Sequence, residues 1–473
     1  MNEAPPPFDP IVTRRGFLGS ALGATFVALP ARGEAAPVQD DGFRLLEARE
    51  GALRLVEQPA PETPIWGYDG QTPGPLLRVK KGQEVKVRLI NKLAQPTSLC
   101  WHGVRIANAM DGVAGLTQSP VPPGGAFEYR FTPPDSGLYW YHPHFLPHQA
   151  EQLGRGLYGV LIVDEPALPH ADRDMLLVLD DWKLDENAAM VDDFGSPANA
   201  QGLGRIGPLL TVNAQAAPIA ETLPPSSRLR LRILNAAIAR IMIVSFSSAK
   251  PIILAIDGQP CEAFEPVRQT IPIGPGARFD VMLDVPAEKA AEALLILRGD
   301  GEPDRTLASF KTEGEARPPL PPIASLDLNP LLPAAIKLQS ARKIDIVIEP
   351  IGQSGQAATN GPSGRPLYWK LNGVALEGFG PKPLFSVKRG TPVTLGLVNH
   401  TGFVQQIHVH GHAMRLLHDL DDGWEPYWRD AVLVPEGKTK HVAFVADNPG
   451  KWAIECLMAE RQATGMTTWF EVT

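Results

Sequence analysis

The sequence predicts an all-β protein built of three sandwich domains, and three observations predict it. Glycine and proline number 44 and 48 in 473 residues, about a fifth of the chain, which favours short strands and tight turns over helical bundles. Apolar and polar residues alternate in runs such as "LLRVKKGQEVKVRLINKL", the period of a half-buried strand. One pattern, a small polar turn followed by an alternating strand ending in "L-[IV]-N", occurs in the first and third stretches and is repeated as "ILN" in the second. Length agrees, since ~150 residues per domain gives about three domains.

Taken in order, residues 1–36 read as an export signal. Arg14 and Arg15 precede an apolar run from Phe17 to Leu29, and small residues follow up to Pro37. Twin arginines before a modest apolar segment are the pattern of Tat export, with cleavage expected near Ala35 or Ala36. The alternative, an uncleaved anchor, needs ~20 apolar residues, more than this run supplies. The expectation is a soluble periplasmic protein without an integral membrane segment.

The first domain is expected over 40–166, where "LLRVKKGQEVKVRLINKL" and "GGAFEYRFTPPDSGLYWYHPH" carry the alternation. The second, 170–315, repeats it in "SSRLRLRILNAA". The third, 341–473, repeats it in "RGTPVTLGLVNHT" and "KTKHVAFVADNPGKWAIEC". A proline-rich linker, 316–340, is expected to run over the surface. Three cysteines, Cys100, Cys261 and Cys456, are too few and odd in number for a disulfide framework. A formal net charge of −8 with no basic block argues against nucleic acid or anionic membrane as a partner.

Chemistry concentrates in the histidines. His102 lies in "LCWHGVR", His142, His144 and His148 in "WYHPHFLPH", and His408, His410 and His412 in "QQIHVHGH". Residues i and i+2 of a strand point to one side, so each His-x-His offers two imidazoles to one region. Neutral imidazole binds copper and zinc well. One such pair alone is more often an ordinary hydrogen-bonded pair; two pairs with "WHG" at opposite ends of the chain point to a metal site.

In "WHGVR…MDGVAGLTQSPVPPGG", "GLYWYHPH…GLYGVLIVDEP", "IHVHGH", "RDAVLVPEGKTKHVAFVADNPGKW" and "C…GM", taken in this order, the chain resembles the three-domain multicopper oxidases, the laccase-like cupredoxin family. The resemblance covers nearly the whole mature chain and implies three cupredoxin-like Greek-key sandwiches. Function is a separate matter, because one fold hosts many sites.

The resemblance also implies copper, and here the chain departs from the pattern. At the mononuclear blue copper, Cys456 matches the cysteine and Met466 the axial ligand, but the two histidine positions read Gln405 and Arg461. A guanidinium is always charged and cannot ligate, so this site is expected to be degenerate and Cys456 a buried structural thiol. A soft-ligand site of Cys456, Gln405 and Met466 is the lesser alternative. Of the eight histidines that hold the family's dioxygen-reducing cluster, five match: His102, His142, His144, His408 and His410. The other three read Cys100, Glu455 and Leu457.

By the family's arrangement, one metal keeps His144 and His410 and gains Glu455. A second keeps His102 and His142 but loses its third ligand, and a third falls between His408 and Cys100. Two histidines and a carboxylate also suit non-haem iron or zinc. The bland alternative is an eroded site, with Glu455 paired to a histidine or to Arg461 and no metal. Asp111 in "AMDGVAG" matches an acidic position that assists proton delivery in the family; it also reads as a turn-forming Asp-Gly. Trp101, Tyr139, Trp140 and Tyr141 are expected to pack around the site. His148 and His412 match no ligand position, and His418 and His441 carry no signal.

Without the blue copper's electron entry, laccase activity on phenols is expected to be lost. The expected function is a copper-binding oxidoreductase with a rebuilt, non-blue site between domains 1 and 3. The rival is a copper-free periplasmic structural or binding protein of the same fold. Copper sequestration ranks lowest, since the 9 methionines form no Met-rich insertion. Substrate, protein partner and oligomeric state are left open by these residues.

Overall fold

The computed structural model describes residues 25–26, 41–299, 301–318, 320–352, 359–418 and 423–473. Arg14, Arg15 and the expected cleavage region at Ala35 and Ala36 lie outside the described residues. Among the described residues, no helix is long and apolar enough to cross a membrane.

Strands pair into three successive sandwiches. In the first, a sheet ordered Thr63–Tyr68, Arg44–Leu53, Val85–Asn91, Ala126–Phe131 faces one ordered Leu77–Lys80, Gly159–Asp164, Gly137–His142, Cys100–His102. The second is the largest, with Arg173–Trp182, Arg228–Asn235 and Arg278–Asp284 adjacent at the centre of one sheet. In the third, one sheet centres on Thr391–Asn399 and the other runs Ser386–Val387, Thr467–Val472, Gly450–Cys456, Gln405–Val409, Ala431–Val434. Each sandwich encloses its own buried apolar core. The described residues of the proline-rich stretch form no strand and are mostly exposed, and Asn329 Nδ2 donates to Asp135 Oδ1 (2.7 Å) and Gln259 Oε1 (2.9 Å).

The asparagine that ends the repeated strand in all three sandwiches, in "LIN", "ILN" and "LVN", has one physical explanation. In each sandwich the strand that ends in this asparagine pairs parallel with the first strand: Val87–Asn91 with Arg44–Ala48, Leu229–Asn235 with Arg173–Leu179, Val393–Asn399 with Arg342–Ile348. Each asparagine is fully buried. Its Oδ1 accepts from the amide two residues on, that of Leu93, Ala237 or Thr401, at 3.0 Å. Its Nδ2 donates to a nearby loop carbonyl and across to a more distant one, that of Val121, Ile273 or Val434, at 2.8 to 3.0 Å. One side chain thus closes the turn and ties it to a distant segment, satisfying backbone groups that burial would otherwise strand.

Candidate metal centre

Two strand pairs bring the histidines together. Cys100–His102 runs antiparallel to Gly137–His142, with Cys100 opposite His142 and His102 opposite Trp140. In the third sandwich Gln405–Val409 runs antiparallel to Gly450–Cys456, with His408 opposite Glu455. Only the first histidine of each His-x-His lies within its strand; His144 and His410 lie just past the strand ends. All five are buried. The rings of His102 and His408 stack at 4.1 Å, and those of His144 and His410 meet edge to face at 5.2 Å, so the cluster joins the first and third sandwiches.

Glu455 sits between two of them. Its Oε1 lies 2.8 Å from His144 Nε2 and 3.0 Å from His410 Nε2. Asp111 stands behind His410, its carboxylate 3.2 and 3.3 Å from Nδ1. Its side chain therefore does more than shape a turn. Burial would raise the Glu455 carboxyl, but the charges and hydrogen bonds of His144 and His410 hold it well below the carboxylate range. Burial likewise opposes charge on His410, yet Asp111 and Glu455 together raise it well above an ordinary histidine. A proton on His410 is thus held between two carboxylates, a place that equally favours a metal cation.

Cys100 falls in with this group: its sulfur, Asp111 and His410 offer ligand atoms within 4.8 Å of one another. Burial pushes its thiol up to about 12. The resemblance sets Cys100 with His408; in the structure His408 instead groups with His102 and Asp430. His408 Nδ1 lies 2.8 Å from the Asp430 carbonyl, and His102 Nε2 is 3.6 Å from Asp430 Oδ1. His102 Nδ1 faces His142 Nε2 at 3.3 Å, and His142 Nδ1 is 2.9 Å from the Pro143 carbonyl. Burial, with His144 adding repulsion, pushes His142 down to about 3, so it is held neutral. Leu457, at the remaining position, is buried and offers no donor.

The degenerate site is tied together by hydrogen bonds, with Arg461 Nε left buried and without one. Arg461 donates to Gln405 Oε1 (2.7 Å), the Val404 carbonyl (2.9 Å) and the Gly202 carbonyl (2.6 Å). Its guanidinium also lies over the rings of Phe403 and Trp369. The Cys456 thiol points to Gln405 Oε1 at 3.4 Å and to Met458 Sδ at 3.6 Å. Met466 is buried in the same core and accepts the Cys456 amide through its backbone carbonyl at 3.0 Å. Burial raises the Cys456 thiol above its ordinary value. Blue copper needs a thiolate and two imidazoles; a guanidinium has no lone pair to offer, so this donor set does not fit one.

The remaining residues fall as follows. His412 is buried against Phe444, Trp452 and Phe470, with Nδ1 3.0 Å from the His410 carbonyl. His148 is half-buried at the start of the helix Gln149–Gly154. Trp140 packs on His142 at 4.2 Å, while Trp101 packs with Tyr129, Phe131 and Tyr141. Sequence reasoning missed Asp430, Arg278 and Met458. Asp430 lay in plain view inside "RDAVLVPEG"; Arg278 carried no local signal.

Three sandwiches with a histidine cluster gathered where the first and third meet define the architecture of a multicopper oxidase. Family models described as multicopper oxidase match residues 54–168 and 356–473. The chain is similar to the multi-copper oxidase from Pseudomonas thermotolerans, with 32% identity over 91% of this chain and 98% of that one and a TM-score of 0.80. It is similar to Lac15 from a marine microbial metagenome, with 30% identity over 90% and 99% of the two chains and a TM-score of 0.73. Multicopper oxidase MmcO of Mycobacterium tuberculosis is 29% identical over 96% of both proteins. The chain belongs to the multicopper oxidase family, and membership implies copper.

Proposed function

We propose that this chain is a copper-binding oxidoreductase whose metal is held at a rebuilt, non-blue centre, and that it does not run the laccase cycle. One observation carries the reading: Glu455 Oε1 lies within 3.0 Å of both His144 Nε2 and His410 Nε2, with Asp111 behind His410. Two imidazoles and a carboxylate fit copper, and also iron or zinc. A carboxylate on the far ring nitrogen is the usual support of a ligating histidine. His144, His410 and Glu455 would hold the first metal, and His102 with His142 a second, so the copper complement is reduced. Copper, when bound, supplies one-electron redox chemistry. The chain's own part is to present His410 with its Nδ1 proton on Asp111 and to keep the site dry.

The degenerate cluster at Gln405, Cys456, Arg461 and Met466 supports the second half of the reading. Electrons for dioxygen reduction would have no blue copper through which to enter. The organisation belongs to the proposal too: a Tat signal over 1–36, domains at 40–166, 170–315 and 341–473, a linker at 316–340, and a periplasmic location.

A second reading is favoured by a specific observation. His144 and His410 both hydrogen-bond Glu455 directly, as they would in a copper-free structural or binding protein. Elemental analysis and EPR of protein purified after cytoplasmic copper loading separate the two. One or more tightly bound copper per chain, without an intense thiolate-to-copper band, is the expected result. Less than one bound metal of any kind overturns the first reading.

A further inference from the structure

A cavity on the seam between the first and third sandwiches, outside the metal centre, carries two fixed charges. It measures about 350 Å³, within the ~300–1,000 Å³ of ordinary small-molecule sites. Phe145, Leu146 and Pro147, which directly follow His144, supply the wall from the first sandwich, and Pro362 and Phe379 supply apolar surface from the third. Arg365 and Glu377 are the charged residues in the lining.

Each charge is held by groups other than its opposite. Arg365 closes a hairpin in which Thr359–Asn360 pairs with Pro366–Leu367, and its carbonyl accepts the Gly361 amide at 2.8 Å. Its guanidinium crosses to the first sandwich, where Nη2 donates to the Pro147 carbonyl at 2.8 Å and Nη1 to that of Leu146 at 3.5 Å. A guanidinium has five N–H donors. Among the described residues, no acceptor takes the other three and no carboxylate forms an ion pair with them. Burial of this half-covered group pulls its guanidinium down, and the charge of Glu377 offsets that in part.

Glu377 is fixed by the tip of the same hairpin. Its Oε2 accepts the Ser363 amide at 2.9 Å, and its Oε1 accepts the Ser363 hydroxyl. A Cβ at Gly361 would collide with Oε2, so the turn is shaped around this carboxylate. A carboxylate has about four lone-pair positions, which leaves it able to accept from a further donor.

Opposite charges that line one cavity without pairing select for a molecule that carries both. A plain carboxylate drawn to Arg365 meets repulsion from Glu377, and a plain amine meets the reverse; a zwitterion satisfies the two together. The apolar walls favour a side chain of the same character.

We propose that this cavity binds a free α-amino acid with a large apolar side chain, its carboxylate on Arg365, its ammonium on Glu377 and its side chain against Phe145, Leu146 and Phe379. The site adjoins the metal centre. Ala114, in its lining, donates its amide to the His144 carbonyl at 3.0 Å. Ala463, also in the lining, follows Gln462, whose Nε2 lies 3.5 Å from His144 Nε2. Occupancy needs no copper, so this inference stands or falls apart from the reading above.

The test is titration calorimetry of the metal-free full chain with L-phenylalanine, L-leucine, phenylpropionate, which lacks the ammonium, and phenylethylamine, which lacks the carboxylate. Both amino acids are expected to bind, and L-phenylalanine to bind ~10-fold or more tighter than either one-charge analogue, the contribution of one charge-assisted hydrogen bond. Glu377→Gln is expected to weaken L-phenylalanine and to tighten phenylpropionate, because the repulsion goes with the charge. Arg365→Gln is expected to weaken L-phenylalanine and to tighten phenylethylamine, and it carries the test if the change at Glu377 unfolds the hairpin. A merely structural role would move all probes in one direction. No saturable binding of either amino acid, a one-charge analogue that matches L-phenylalanine, or both variants weakening every probe alike overturns the proposal.

Discussion

Glu455 and His144 lie 311 positions apart in sequence and make one of the shortest contacts in the centre, Oε1 to Nε2 at 2.8 Å. This contact joins the first sandwich to the third, and it replaces an imidazole of the family pattern with a carboxylate. Glu455→Gln keeps the size and removes the charge. Its copper affinity is expected to fall by more than the ~10–100-fold typical of losing an outer support, while Asp111→Asn falls within that range. Competition with a copper chelator measures both. Equal affinity in Glu455→Gln and the parent would remove Glu455 from the ligand set.

Arg461 fills the degenerate site as a built-in cation, and two substitutions test how complete that replacement is. Arg461→Ala leaves Gln405 Oε1 and two backbone carbonyls short of a donor. At ~1–3 kcal/mol for each buried group left unsatisfied, with some recovered by water, a loss of about 2–4 kcal/mol is expected, read as a lower denaturation midpoint. Gln405→His combined with Arg461→His restores two imidazoles beside Cys456. The double variant loaded with copper is expected to turn blue and neither single variant to do so. A colourless, copper-replete double variant would mean that the Cys456 thiol is turned away from the site, toward Met458.

The buried asparagines that close the three repeats predict a matched series. Asn91→Ala, Asn235→Ala and Asn399→Ala each remove an acceptor for one amide and a donor for at least two carbonyls. Each is expected to cost about 2–4 kcal/mol in its own sandwich, from buried backbone groups left unpaired at ~1–3 kcal/mol each. Chemical denaturation followed by hydrogen exchange checks this, with lost protection confined to the sandwich that carries the change.

These asparagines also mark how far the sequence could be read. The repeat was legible because one local solution, a side chain closing the turn after a strand, was used three times within short windows. The histidines were legible because strand geometry makes i and i+2 neighbours. Arg278 and Asp430 were not, because their pairing spans 152 positions and joins the second sandwich to the third, and a lone arginine in an alternating strand looks like any surface residue. Met458 was passed over for a related reason: the family order points to Met466, while the side chain that approaches the Cys456 thiol depends on how the chain turns into the short helix Ala459–Ala463.

The last prediction concerns pH and the metal-free protein. Burial pushes His142 down to about 3, His412 to about 4, and His102 well below the ordinary value. Unfolded histidines titrate near ~6.5, so below that pH the unfolded chain binds protons that the folded chain refuses. Stability then falls with pH, by up to about 1.4 kcal/mol per unit for each such histidine. His410 has the opposite sign. Asp111 and Glu455 raise it against the cost of burial, so its contribution is complete below ~6.5 and is lost as pH rises through the raised value. Glu455 is depressed; its contribution is present above ~4.3 and lost only as pH falls through its lowered value, so it is level between pH 5 and 9. Taken by themselves the three give a maximum near pH ~6.5. Asp180 and Glu460, which burial pushes up to about 8 and about 7, contribute stability that is lost as pH rises from ~4 through those values, so they steepen the alkaline side and move the maximum of the whole chain below ~6.5. Urea midpoints of the metal-free protein from pH 5 to 9 measure it. Asp111→Asn, which removes the stronger hold on the His410 proton, is expected to flatten the alkaline limb alone; an alkaline limb of unchanged slope in that variant would show that His410 does not carry it.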